Sequence, residues 1–172
     1  MLQNNNSYKI LELFFKFPRR NFQLREISRL TKIALPSTKK YLENLVKNRL
    51  ILENKETLYK SYNANIENKD FRLYKKISTL IKLKDLIYEL EDKINPDVIV
   101  LYGSAAKGED MEDSDIDLFI MGKEKPINLE KFEGELNRKI HIMFEDNIKK
   151  VSKEFLNNLI NGMVLYGYLK VF

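Results

Sequence analysis

Asp115 and Asp117 flank Ile116 at the head of an apolar run, Ile116 to Met121. In a strand, residues two apart point to the same face. Two carboxylates that close repel each other unless a cation lies between them. A hard divalent cation suits such a pair, because Mg²⁺ is usually held by one or two carboxylates plus substrate phosphates. An earlier apolar run, Val98 to Tyr102, breaks at Gly103-Ser104, with ten residues between Ser104 and Asp115. Glycine lets the backbone approach a ligand closely. Ser104 would stand near the start of a short helix, where free N–H groups and the helix dipole favour phosphate. Together these residues suggest a site for a metal-bound nucleoside triphosphate.

The run Leu101-Tyr102-Gly103-Ser104-Ala105-Ala106-Lys107-Gly108-Glu109, followed by Ser114-Asp115-Ile116-Asp117-Leu118, resembles the polymerase-β-type nucleotidyltransferases. It is most similar to their small, minimal members. The resemblance covers residues 95 to 145 well and the C-terminal tail loosely. It implies transfer of a nucleoside monophosphate from an NTP to a hydroxyl acceptor, with Mg²⁺ or Mn²⁺ as the metal. Gly103, Ser104, Lys107 and Ser114 would then bind nucleotide, and Asp115 and Asp117 would hold the metal. Lys107 stands where the family often has Arg.

The resemblance also implies a third carboxylate, at the centre of an apolar triplet on a later strand. The matching stretch is Lys139-Ile140-His141-Ile142-Met143-Phe144, so His141, the chain's one histidine, occupies that position. In active relatives this residue helps hold the metal that activates the attacking hydroxyl. Imidazole suits Mg²⁺ poorly and Mn²⁺ or Zn²⁺ better. His141 is thus either a third catalytic residue or a half-buried strand histidine, with Glu145 as a substitute from farther along the same face.

The rest of the chain bounds these readings. Its 172 residues allow one or two small domains, and an apolar share of 44% is ordinary for a globular protein. The absence of cysteine excludes disulfides, thiolate nucleophiles and zinc–thiolate clusters. No apolar stretch reaches the ~18 residues of a membrane span. The opening MLQNNNSYK has no signal-peptide core. A soluble cytoplasmic protein with no membrane partner is the expectation.

Charge divides the chain. Residues 1–66 carry 13 Lys and Arg against 5 Asp and Glu, a net of +8; residues 67–172 carry 17 against 20, a net of −3. The basic part suits a polyanion. It reads as a winged helix-turn-helix. Ser7 is the expected cap of a first helix with Ile10, Leu11, Phe14 and Phe15 inward, ending at Phe17-Pro18. Leu24 to Leu30 gives a second helix with Leu24, Ile27 and Leu30 inward. Pro36 opens a third, running to about Asn48. Leu50–Glu53 and Leu58–Asn63 read as strands of a hairpin around Asn54-Lys55-Glu56. The order resembles archaeal and bacterial winged-helix domains. Such a fold would present Ser37, Thr38, Lys39 and Lys40 to the major groove of DNA, with Arg19, Arg20, Lys55 and Lys60 on phosphates. Winged helices also serve protein contacts, so a homodimer or a protein partner stays open beside DNA.

Residues 67–94 read as a linker helix with Phe71, Tyr74, Ile77, Leu80, Ile81, Lys84, Ile87 and Leu90 or Glu91 on its apolar face. Asn95-Pro96 stops it. Three strands near 97–102, 115–121 and 139–144 follow, with a helix near 128–137. A C-terminal helix, Glu154 to Ile160, and a short strand, Met163 to Tyr168, close the chain. The expectation is therefore an α+β protein: a winged helix-turn-helix at 1–66, the linker helix, and a small mixed-sheet nucleotidyltransferase domain at 95–172. Two other functions fit the same residues. One is a DNA-binding regulator whose nucleotidyltransferase fold binds nucleotide without turnover. The other is an antitoxin-like module of a toxin pair.

Overall fold

The structure is a computed structural model and describes residues 5–54 and 60–171. It is mixed α+β, and the chain divides into two compact units, Met1–Lys75 and Lys76–Phe172.

In the first unit, helix α1 spans Asn6–Lys16 and buries Ile10, Leu11, Phe14 and Phe15, the 3-4 spacing expected of one helix face. Its cap is Asn5, whose side chain accepts the Ser7 N–H at 2.9 Å, so Ser7 lies inside the helix rather than capping it. Pro18 disfavours helical backbone at Phe17, where the helix stops. A two-residue strand β1, Phe22–Gln23, which the sequence did not indicate, leads into α2, Leu24–Thr31, the second helix expected from Leu24. Ile27 is buried in α2, but Leu30 is 48% exposed, against expectation. Lys32 turns left-handed (φ 56°) just after the helix. Ser28 accepts the Ile33 N–H and donates its hydroxyl to the Ile33 carbonyl, and buried Ile33 packs into the core.

Helix α3, Leu35–Lys47, takes Pro36 in its first turn, where a missing N–H costs nothing. It buries Thr38, Leu42 and Leu45. Strands β2, Ile51–Asn54, and β3, Ser61–Ala64, pair antiparallel from Ile51↔Ala64 to Asn54↔Ser61. With β1 they form a sheet in the order β1-β3-β2. Lys55 and Glu56 of the expected hairpin turn lie outside the described residues.

Helix α4, Lys69–Ile94, crosses the division between the units. Its buried apolar positions are Phe71, Leu83, Leu86, Leu90 and Ile94, while Tyr74 and Ile77 are exposed. The expected stripe placed Lys84 inward. The Leu83-Leu86-Leu90-Ile94 run keeps the 3-4 repeat without burying a charge, and it is the one used.

In the second unit, β4 (Val98–Tyr102), β5 (Ile116–Met121), β6 (Ile140–Glu145) and β7 (Met163–Gly167) form one sheet in the order β6-β5-β4-β7. A five-residue helix α5, Gly103–Lys107, follows β4. Helix α6, Glu130–Leu136, lies between β5 and β6, which are parallel; the other pairs are antiparallel. One sheet face (Ile99, Leu101, Ile116, Leu118, Ile120, Ile140) packs on Leu83, Leu86, Leu90 and Ile94 of α4 and on Phe132. The other (Val98, Val100, Phe119, Met121) packs on Leu159 of α7, Lys153–Ile160. Full burial of such side chains is worth roughly 1.5–3 kcal/mol each. Residues of β5 therefore have one core on either side, and its N-terminal end supplies the site.

Candidate functional site

Strand register sets three side chains in a row across the sheet. Asp117 of β5 lies opposite Tyr102 of β4 and beside His141 of β6. Asp115 precedes the strand. Its Oδ2 is 3.5 Å from His141 Nε2, with side chains 44% and 64% exposed respectively. Alternation puts Asp117 on the face shared with Phe119 and Met121, the side on which α7 packs. There Phe155 of α7 stands edge-on to Tyr102, with ring centroids 5.1 Å apart, and edge-on to Phe119 at 6.0 Å. The carboxylate row thus borders an aromatic wall.

Gly103 is required by the same geometry. Its φ is +72°, and a Cβ added there would sit 2.6 Å from Asp117 Oδ2. The space that glycine frees is taken by the Asp117 carboxylate, one of the acids the sequence singled out. Ser104, half-buried, follows it in α5. Lys107 is exposed in the last turn of α5, before Gly108 ends that helix with φ +72°. The Ser114 hydroxyl accepts the Met111 N–H at 2.8 Å.

Electrostatics follow from this packing. Burial pushes the Asp117 carboxyl above its usual range; His141 pulls it partly back, and Asp115 adds to the rise. Burial also raises the Tyr102 hydroxyl, with Asp117 adding to it. A half-buried carboxylate beside another carboxylate favours a bound cation over two bare charges. Among the described residues, no three His, Cys, Asp or Glu side chains gather into a ready metal cage. The donor set still fits a hard cation that takes its remaining ligands from substrate phosphates, which is how Mg²⁺ is commonly held. Glu145 does not supply a third ligand. It pairs with Met121, four residues along β6 from His141, or about 13 Å at strand rise.

The expected DNA-contacting residues separate into two groups. Ser37, Lys39 and Lys40 are exposed on α3. Thr38 is not a groove-facing residue: it is fully buried, and its hydroxyl is 3.1 Å from both the Ile33 and Ala34 carbonyls. Its position on the inward side of α3, four residues before Leu42, is the reason. Lys60 pairs with Glu53 at 2.9 Å, and Arg20 pairs with Glu26 at 2.6 Å while lying over the Phe22 ring. Lys55 lies outside the described residues.

Sequence reasoning missed two residues near the site, Asp110 and Arg138, which form a buried ion pair at 2.9 Å. Asp110 is one acid in an acid-rich loop, and Arg138 sits in a basic dipeptide, so neither had a local mark. Tyr102 and Phe155 were also missed, since an aromatic at a strand end or in a helix reads as ordinary core.

The family described as "Polymerase beta, Nucleotidyltransferase" matches residues 82–168, half of the chain. No curated protein matches it.

Proposed function

The chain belongs to the polymerase beta nucleotidyltransferase family, and from that membership we propose that it transfers a nucleoside monophosphate from an NTP to a hydroxyl acceptor. The acceptor oxygen attacks the α-phosphorus, the bond to the β-phosphate oxygen breaks, and pyrophosphate leaves. The observation that carries this reading is the fit of Asp117 into the space left by Gly103, with Asp115 and His141 alongside. It couples the Gly-Ser turn to the carboxylate pair in one place. A divalent metal held by Asp115 and Asp117 would neutralise charge on the phosphoryl group in transfer. Gly103 and Ser104 would hold the triphosphate, and Lys107 would add positive charge near it.

The N-terminal unit we read as a winged helix that binds DNA through Ser37, Lys39 and Lys40. Three helices, a small antiparallel sheet and a net charge of +8 over residues 1–66 support this.

A second reading has its own observation. His141 stands beside Asp117 where the resemblance implies a carboxylate, and Glu145 is too far along β6 to replace it. The protein would then be a DNA-binding regulator that binds nucleotide and turns it over poorly. Incubation with each α-labelled NTP and Mg²⁺ or Mn²⁺ separates the two. Pyrophosphate release with label on an acceptor, lost in Asp115→Asn/Asp117→Asn, supports the transferase. Nucleotide binding without release supports the regulator, and no binding in either metal removes both.

A further inference from the structure

Asp115 lies outside β5, which begins at Ile116. Its placement is set by what holds its neighbours. The Arg138 Nη1 donates to Asp110 Oδ2 at 2.9 Å and to the Ser114 carbonyl at 3.2 Å. Ser114 in turn accepts the Met111 N–H on its hydroxyl and donates its own N–H to the Met111 carbonyl. On the other side, the Ile116 N–H donates to the Lys139 carbonyl at 2.9 Å. The residues before and after Asp115 are therefore both tied to the 138–139 segment.

The pair that does this is an expensive one. The Arg138 and Asp110 side chains are only 7% and 3% exposed. Burying two charges costs several kcal/mol per ion, and an apolar pair of equal volume often serves stability as well or better. A guanidinium offers what an apolar pair cannot. Its planar donors reach a carboxylate and a carbonyl at once and fix one geometry. The chain also arranges its delivery. Asn137 ends α6 in the left-handed region (φ 55°), and the Arg138 N–H returns to the Glu133 carbonyl. That turn carries Arg138 under the 108–114 loop just before β6 brings His141 to the row.

We propose that Arg138, anchored by Asp110, is a positioning residue that sets Asp115 beside Asp117 and thereby sets the affinity of the carboxylate pair for a metal–nucleotide complex. The proposal rests on the nucleotide-binding reading given above. Removal of a group that orients a metal ligand typically lowers metal affinity or activity by about 10–100-fold, which is the effect expected here.

The test titrates the full chain with Mn²⁺ and a non-hydrolysable ATP analogue in a calorimeter, each variant well below its own melting temperature. Arg138→Gln should weaken binding by about 10–100-fold. Arg138→Lys, which keeps the cation, should recover part of the loss. Asp110→Asn should weaken binding, and Asp110→Asn/Arg138→Gln should be no weaker than Arg138→Gln, since both act through one link. Should Arg138→Gln fail to fold, Arg138→Lys and Asp110→Asn decide by the same measure. Binding by these variants equal to wild type, even with a lowered melting temperature, overturns the proposal and leaves the pair as a loop support. A wild type that binds no Mn²⁺–nucleotide complex overturns the nucleotide reading itself, and this proposal falls with it.

Discussion

Asp117 is held in an environment that disfavours its charge. Burial raises its folded-state pKa above the ordinary carboxylate value. The folded chain therefore holds this proton more tightly than the unfolded chain does. Stability from this group is full below the unfolded value and is lost as pH rises through the raised one. Asp117→Asn removes that loss. Without metal, the variant should melt no lower than wild type at neutral pH, and any advantage should shrink as the solution is acidified. Metal-dependent NTP binding should disappear in the same variant. A variant that melts lower at neutral pH but equals wild type in acid would show that the ionised carboxylate stabilises the fold. Gly103→Ala probes the other side of the contact. It forces a side chain into left-handed backbone and against the Asp117 carboxylate. Denaturant unfolding should show a loss of about 1–2 kcal/mol from the backbone alone, together with weakened NTP binding. His141→Asp would set a third carboxylate beside Asp115 and Asp117, so without metal the variant should melt lower than wild type, and added divalent metal should reduce the difference. If it stands in for a catalytic carboxylate, turnover with Mg²⁺ should rise at least about tenfold. Wild-type protein already fully active with Mg²⁺, and slowed by the substitution, would leave His141 as a strand residue.

Helix α3 has two sides of different character. Its inner side buries Thr38, Leu42 and Leu45, and its outer side presents Ser37, Lys39 and Lys40. Thr38→Val keeps the shape and removes the hydroxyl that reaches two carbonyls. The expected cost is about 1 kcal/mol of stability, with DNA affinity unchanged in a gel-shift assay. Lys39→Ala/Lys40→Ala should do the reverse, weakening DNA binding while stability hardly moves. Helix α7 matters to the site through Phe155, and its own start depends on Ser152, whose hydroxyl accepts the Phe155 N–H at 3.2 Å. Ser152→Ala should cost about 1 kcal/mol, read by thermal denaturation.

At the scale of the molecule, charge is the organising quantity. Under the proposed DNA-binding reading, the +8 of residues 1–66 and the −3 of residues 67–172 predict that affinity for DNA falls linearly with salt on a log–log scale, by a slope of about −0.9 for each phosphate neutralised. Asp115→Asn should leave that slope unchanged, and Lys39→Ala should reduce it. An affinity insensitive to salt would remove DNA as the partner of the basic unit. Among the described residues, no helix is long and apolar enough to cross a membrane.

The chemistry of this chain was legible where it is local. Asp117 stands between Ile116 and Leu118, so its face follows from strand period, whereas Asp115 lies just before β5 and strand period does not place it. Gly103 marks a turn because few other residues tolerate one. Helix faces in α1 and the strands of the second unit were readable for the same reason: their periodicity lies within a single element. Contacts between elements had no such signature. That Asp117 faces Tyr102 and His141 while Glu145 faces Met121, that Thr38 turns inward, that α4 buries Leu83 rather than Lys84, and that Arg138 reaches Asp110 were all decided by tertiary packing. Local period fixes which residues share a face, whereas register and crossing depend on how every neighbouring side chain fills the remaining space.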